Sequence, residues 1–386
     1  MWRHIASNVL TLLVVIVFLL GSVILWGKSQ YTADGPHEEA VCVRVAPGST
    51  LRPVSTRLQQ EGAVTNAAIL RIGMDYAGKE NDLKAGAWLI PERASMEEIG
   101  DILTRGGAST CGTEVIWRVG VNSAEVVVRE LATESGQYAE RASFDPMDAD
   151  ATPPDIYETV RGRADTRYRI AFAEGVTSWQ VVEGLRAVDV LEGEVDVVPD
   201  EGTLASDSYE VRAGDSRAGV LERMAGAQEV ILAAAWEGRA EGLPLKDPQE
   251  LLILASIIEK ETGVPDERRE VASVFINRLN RGMRLQTDPT VIYGITEGQG
   301  VLGRGIRRSE LDRETPWNTY AIDGLPPTPI ANPGRASIEA AVDPADTDYV
   351  YFVADGTGGH AFAETLAEHN RNVARWREIE AERAGD

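Results

Sequence analysis

With 386 residues, the chain has room for two or three domains once an apolar N-terminal segment is set aside. Its 61 acidic against 38 basic side chains give a formal charge of −23, which leaves no basic stripe to neutralise phosphates and argues against nucleic acid as a partner. Two cysteines and four scattered histidines argue against a structural zinc site, and no residue pattern asks for a metal or another cofactor.

Val9 to Trp26 is an apolar stretch without a charge, about as long as a bilayer core is thick. Arg3 precedes it, and Asp34, Glu38 and Glu39 follow the lone Lys28, a bias that places the N-terminus in the cytoplasm. Trp26-Gly27-Lys28 offers no small-residue cleavage site. Residues 1–28 therefore read as a cytoplasmic tip and an uncleaved single-pass anchor, with the rest of the chain beyond the membrane.

Residues 40–110 read as a small α+β module. Val41 to Val45 alternates like a strand, Leu51 to Glu61 has helical spacing with Gly62 as its stop, and Asn66 to Tyr76 is a second helix. A strand interrupted by Gly86 follows, and Ser95 caps a third helix. Modules of this content often bind chains of sugars; a membrane-proximal spacer is the plainer alternative. Cys42 and Cys111 bracket the module, and a bridge between them or two unpaired buried thiols both fit. Residues 111–168 are acidic, Ala-rich and punctuated by Pro146, Pro153 and Pro154. They read as an insertion of unknown role, partly loop and partly separately folded.

From 169 to 386 the pattern is mixed α+β. A short strand at Arg169 to Phe172, a helix opened by Thr177, and a helix from about Ser216 lead to the most informative stretch. There Asp247-Pro248-Gln249-Glu250 supplies an N-cap, a Pro at the first helical position and a capping-box Glu. The apolar run Leu251 to Ile258 ends in Glu259 and Glu261, with Gly263 as the stop. At 100° per residue Glu261 lies nearer the apolar face than Glu259 does. A carboxyl held there loses hydration, its pKa rises, and it becomes a general acid. Glu259 projects from a different face and reads as a solvated helix-end charge.

Pro265 opens the next helix, through Leu279 to a stop at Gly282. Residues 285–334 read as a long ordered loop, which in a compact domain is usually functional. Gln286 and Thr287 are candidate hydrogen-bond donors to substrate. Asp288 is either a second carboxylate for the chemistry or a turn and cap residue. Tyr293, Trp317 and Tyr320 are sugar-stacking faces or core. Asn318 and Asn332 contact substrate or hold their own loops. Arginines cluster between Lys260 and Arg313, giving either a cationic groove or solvated helix faces. A hairpin turning at 355–359, with His360 as one of its residues, and a final helix close the chain.

The segments Ala255 to Thr262, Val271 to Leu279, Gly282 to Gly294, Asn318 to Tyr320, Gly324 to Pro327, Ile330 to Gly334 and Tyr351 to Gly356 together resemble the YceG-like endolytic murein transglycosylases. The 40–110 unit is similar to that family's LysM-like module, and the 111–168 segment matches nothing in its pattern. Ser206 stands where the family has a Pro, ahead of Asp207. The resemblance implies an N-terminal transmembrane helix, a LysM-like α+β module and an α+β catalytic domain. It also implies cleavage of MurNAc–GlcNAc bonds within nascent peptidoglycan strands to 1,6-anhydroMurNAc ends, with Glu261 as acid and then base. The location it implies is the inner membrane with the catalytic domain in the periplasm. The partners it implies are glycan strands and peptidoglycan synthases, although no residue identifies a synthase. Two rivals stand beside it: a hydrolytic muramidase using Glu261 with Asp288, and a non-catalytic peptidoglycan-binding scaffold.

Overall fold

The computed structural model describes residues 2–107, 109–132, 135, 137–148, 150–163 and 165–385; the side chains of residues 2–7, 384 and 385, Arg3 among them, lie outside the described set. The architecture is mixed α and β. The chain divides into two compact units, one of residues 1–115, 127–144 and 152–168, the other of residues 116–126, 145–151 and 169–386.

The first unit opens with helix α1 (Trp2–Thr32). Its segment Asn8–Thr32 has a mean hydropathy of 2.9 and no buried share. At about 1.5 Å per residue it is long enough to cross a bilayer core of about 30 Å. Among the described residues this is the one helix long and apolar enough to do so. Next come β1 (Val41–Val45), α2 (Leu51–Gln60), α3 (Ala67–Tyr76), β2 (Gly86–Ile90) and α4 (Met96–Arg105). The strands β1 and β2 pair antiparallel, with Val43 opposite Trp88. Val43, Leu58, Leu70, Met74, Ile90, Ile99 and Leu103 bury completely between the strand pair and the helices. Asn66 caps α3 through Ala68 and Ile69, and Ser95 with Glu98 forms a full capping box on α4. Cys42 and Cys111 are joined by a disulfide, with Cα atoms 5.9 Å apart.

Residues 111–168 hold strands as well as loop: β3 (Thr113–Val119), β4 (Ala124–Ala132) and β5 (Gln137–Phe144) follow one another, and α5 (Asp155–Val160) leads to β6 (Arg167–Phe172). With β7 (Ser208–Val211) they form a five-stranded sheet in the order β5-β4-β3-β6-β7. The β-branched run of Val126, Val127 and Val128, all fully or almost fully buried, carries this strand signal, which the acidic composition masks.

The second unit is mostly helical. It contains α6 (Ser178–Arg186), α7 (Arg217–Glu237), α8 (Pro248–Glu261), α9 (Arg268–Asn280), α10 (Asp288–Thr296), α11 (Arg308–Leu311), α12 (Arg335–Val342), the antiparallel hairpin β8 (Tyr351–Ala354) and β9 (His360–Ala363), and α13 (Leu366–Gly385). Its core is α8, wrapped by α9, α12 and the hairpin: every residue from Leu251 to Ile258 is buried. Full burial of Leu251, Leu254, Ile257 and Ile258 contributes about 1.5–3 kcal/mol each. Two expectations change here. The stretch 285–334 is not one loop, because Pro289 at the first turn nucleates α10. And α8 ends at Thr262 in extended conformation, not at Gly263.

The cross-link constrains a long stretch of unfolded chain, so Cys42→Ser with Cys111→Ser is expected to destabilise the first unit by about 2–4 kcal/mol. Chemical denaturation of the full chain in detergent, oxidised against the double variant, measures this; coincident curves would remove the role assigned to the bridge.

Candidate active site

Helix α8 delivers two carboxylates to different surroundings. Asp247 starts it by accepting the Glu250 N–H at 2.9 Å, while the Glu250 carboxylate reaches back past the cap to the Lys246 N–H at 2.8 Å. After the buried run, Glu259 points at the N-terminus of α12, where it accepts from the Gly334 N–H at 3.0 Å and the Ser337 hydroxyl at 2.7 Å. Glu259 is therefore a half-buried helix cap that satisfies orphan N–H groups, not a solvated charge. A Cβ on Gly334 would fall 1.9 Å from the carboxylate of the exposed Glu174, whose side chain would have to move aside for a larger residue.

Glu261 is half-buried at the last turn of α8. Its Oε1 accepts from the hydroxyl of Thr287, which is almost fully buried. Loss of hydration raises its pKa first and foremost, and the nearby charge of Asp288 adds to the rise. The Thr287 bond and the positive charges of His360 and Arg278 pull it partly back. The result is a carboxyl biased toward its protonated form, with one oxygen held by a hydroxyl.

Thr287 is held in turn. Its N–H donates to the Thr319 hydroxyl at 3.0 Å, its carbonyl accepts from Thr290 at 2.7 Å, and Thr290 and Thr319 meet at 2.9 Å. All three threonines are buried, so this knot fixes the start of α10 beside Glu261. Gln286 adopts φ +47, a left-handed conformation that costs a non-glycine residue about 1 kcal/mol or more. With it, Gln286 and Asp288 are exposed on either side of the buried Thr287. The Tyr320 hydroxyl donates to Asp288 Oδ1 at 2.7 Å. Burial, then this carboxylate, raises the Tyr320 pKa.

Glu261, Thr287, Asp288 and Tyr320 are thus brought together, with Gln286 at the rim. Other expected contacts are engaged elsewhere. The Asn318 amide donates to the carbonyls of Leu311 at 2.9 Å and Arg313 at 2.6 Å, and its oxygen accepts from the Tyr320 N–H at 3.0 Å. Asn332 is fully buried; its oxygen accepts from Leu204 N–H at 3.0 Å and its amide donates to the Val176 carbonyl at 3.1 Å. Both amides tie loops together. The Tyr293 ring packs on Trp317 with centroids 5.7 Å apart, and its hydroxyl donates to Glu201 at 3.3 Å. Asp207 accepts from its neighbour Ser208 at 2.7 Å, a local turn beside the unusual Ser206.

Three features escape the sequence reading. Glu201 has a pKa pushed up to about 7, chiefly by burial; it lies in a polar loop with no periodic pattern to mark it. Arg278 is a buried cation that donates to the Val350 carbonyl at 2.7 Å and the Leu285 carbonyl at 2.6 Å. Burial lowers its pKa. His360 is more than a hairpin residue: its Nδ1 faces the Glu267 carboxylate at 3.0 Å, and its charge reaches Glu261. Among the described residues, no group of His, Cys, Asp or Glu could hold a metal ion.

The YceG-like family model matches residues 43–375. The chain belongs to the YceG-like family. The endolytic murein transglycosylase of Bacillus subtilis strain 168 is 45% identical over 122 residues, covering 32% of this chain and 33% of that protein. Those of Streptococcus pneumoniae strains D39 and R6 are 27% identical over 353 residues, 88% of this chain and 59% of theirs. The chain thus spans between a third and three-fifths of these relatives' lengths. A yceG-like protein of Listeria monocytogenes has a crystal structure with a TM-score of 0.45 at 25% identity, covering 86% of this chain and 99% of that one.

Two outcomes follow from the geometry. Asn332→Ala takes away the acceptor of the Leu204 N–H and leaves the Val176 carbonyl only the backbone N–H of residue 332, and is expected to destabilise the chain by about 1–3 kcal/mol, whereas Gln286→Ala changes stability by less than about 0.5 kcal/mol. Urea titration that finds the two alike would contradict this division. The second outcome concerns pH. Carboxyls with raised pKa contribute stability that is fully present below their ordinary values and is lost as pH rises through the raised ones. For Glu201 that window runs from 4.5 to about 7. Glu261→Gln is therefore expected to be more stable than wild type at about pH 8, with the gain shrinking toward about pH 4. Melting curves with a gap independent of pH would refute it.

Proposed function

We propose that this chain is a membrane-anchored lytic transglycosylase that cuts peptidoglycan glycan strands internally. The observation that carries the proposal is Glu261, a desolvated carboxyl beside an open rim of polar side chains. Membership of the YceG-like family and the names of the matching relatives, endolytic murein transglycosylases, support the same reading. In the proposed reaction, neutral Glu261 protonates the glycosidic oxygen as its bond to the muramic acid C1 breaks. The carboxylate so formed then removes the proton from that sugar's C6 hydroxyl, whose oxygen bonds to C1 and closes the 1,6-anhydro ring. The proton returns to Glu261, and no water is consumed. Thr287 steadies the carboxylate half of the cycle by donating to Oε1.

We extend the proposal to organisation. The anchor α1 holds the enzyme in the inner membrane with the second unit in the periplasm, beside strands as they are made. The unit of residues 40–110 is a LysM-like module. A groove of about 600 Å³ lined by Ser49, Thr50, Arg52, Arg71, Asp75 and Asn81 offers it polar groups for sugar hydroxyls. Peptidoglycan synthases are the proposed partners.

A hydrolytic reading has one observation in its favour: Asp288 is exposed and near enough to Glu261 to raise its pKa. A retaining or inverting hydrolase needs such a second carboxylate. The products decide. Mass spectrometry of digested uncrosslinked strands is expected to show 1,6-anhydro ends, each lighter by one water than a reducing end. Reducing ends alone would establish hydrolysis, and intact strands a binding scaffold. Glu261→Gln is expected to fold normally and lose at least about a thousandfold in kcat, whereas activity within about tenfold of wild type would remove Glu261 from the reaction.

A further inference from the structure

The second raised carboxyl is unused in that reaction, yet it sits at a junction. Glu201 lies in the loop between α6 and β7 and meets three other pieces of the second unit. Its Oε1 accepts from the Ser178 N–H, at the start of α6, at 2.7 Å, and the Asn332 amide approaches the same oxygen at 3.5 Å. Its Oε2 accepts from the Tyr293 hydroxyl at 3.3 Å. The chain leaving α10 passes against it: Gly298 has φ +74, and a Cβ there would lie 3.1 Å from Glu201 Oε2. The Gly298 carbonyl is also fastened, accepting from the Thr177 hydroxyl at 2.6 Å. The far end of α10 is thus docked on the Glu201 carboxyl.

The near end of α10 is the Thr287 knot that holds Glu261. Between the two ends lie less than three helical turns, a span too short and too regular to absorb a displacement. A second route runs in parallel. Tyr293 packs on Trp317, and Trp317 is followed two residues later by Thr319, whose hydroxyl accepts from the Thr287 N–H. Both routes begin at Glu201 and finish at the hydroxyl on the candidate catalytic carboxyl.

We propose that Glu201 is a positioning residue for the site, clamping the C-terminal end of α10 through Tyr293 so that Thr287 stays in register with Glu261. The proposal rests on the assignment of Glu261 as the working acid. Glu201 touches no reacting atom. The titratable groups that face it are Tyr293 on α10 and Lys260 on α8, while Ser178 and Asn332 meet it as neutral donors. A glutamine keeps an acceptor oxygen for the Ser178 N–H, and its amide N–H can donate to the Tyr293 oxygen in place of the bond that the Tyr293 hydroxyl donates to Glu201.

The experiment uses the full chain in detergent on uncrosslinked glycan strands, with near-UV circular dichroism as the control for folding. Glu201→Ala is expected to lower kcat about tenfold with KM within about twofold, and Glu201→Gln to recover kcat to within about threefold of wild type. Tyr293→Phe, which removes only the hydroxyl and keeps the ring on Trp317, is expected to lower kcat about threefold. The proposal is overturned if Glu201→Ala keeps wild-type kcat, if it changes KM alone, or if Glu201→Gln fails to rescue it. Should Glu201→Ala not fold, Tyr293→Phe and Glu201→Gln decide by the same kcat readings. A readout independent of turnover separates this from the functional reading. With ¹³C-labelled glutamate, the Glu261 carboxyl signal, identified by its loss in Glu261→Gln, should titrate at a midpoint more than about half a pH unit from wild type in Glu201→Ala or Tyr293→Phe. An inactive wild type would sink the functional reading alone, whereas an unmoved Glu261 midpoint would sink the positioning role whatever the activity.

Discussion

A helix buried on every side has no wet face on which to leave a charge, and the second unit is arranged around that constraint. From Leu251 to Ile258 nothing of α8 reaches water, so the first polar residues after the run emerge inside the protein rather than at its surface. A carboxylate in such a place must find donors, shed its charge, or both. Glu259 takes the first course, with Gly334 and Ser337 at the head of α12. Among the described residues Glu261 meets a single hydroxyl, that of Thr287, and loss of hydration raises its pKa toward the second course. The contrast between capping residue and candidate acid follows from how many N–H and O–H groups each one meets.

The irregular segments around α8 are rigid for a related reason. Buried loops must satisfy their own backbone groups, and here side-chain amides do much of that work. Asn318 gathers the carbonyls of Leu311 and Arg313, Asn332 joins the strands of chain near Val176 and Leu204, and Asn277 donates to the carbonyls of Thr347 and Tyr349 at 2.7 and 3.0 Å. Arg278 does the same at the carbonyls of Val350 and Leu285, and its charge remains close enough to temper Glu261. A residue that looks like a ligand for substrate in sequence is, in these places, a ligand for the protein's own backbone.

This explains which parts were legible beforehand. The elements with strong local chemistry were read to within a few residues: the helix from Asn66, Ser95 as a cap, Pro248 at the first turn of α8, the hairpin at 355–359, and the apolar run that ends at Glu261. The strands of residues 111–168 were missed because acidic side chains on their exposed faces hid the buried valines of β4. The helix α10 was missed because Asp288-Pro289 resembles a loop when nothing shows that Thr290 and Val291 are buried. Glu201, His360 paired with Glu267, and the tie-bar function of Asn332 depend on partners 23 to 131 residues away for the first, 93 for the second and 128 to 156 for the third. No local pattern encodes such contacts.

Glu201 and Glu261, like Glu174 in the same unit, have pKa values raised first by loss of hydration. Their arrangement differs. Glu201 meets donors from three segments and is closed in by Gly298, so its raised value reflects enclosure within the scaffold. Glu261 is held from one side only, by Thr287, and the exposed Gln286 and Asp288 mark where the enclosure opens. Loss of hydration thus acts on both carboxyls, among donors from three segments for Glu201 and beside one hydroxyl at a polar rim for Glu261.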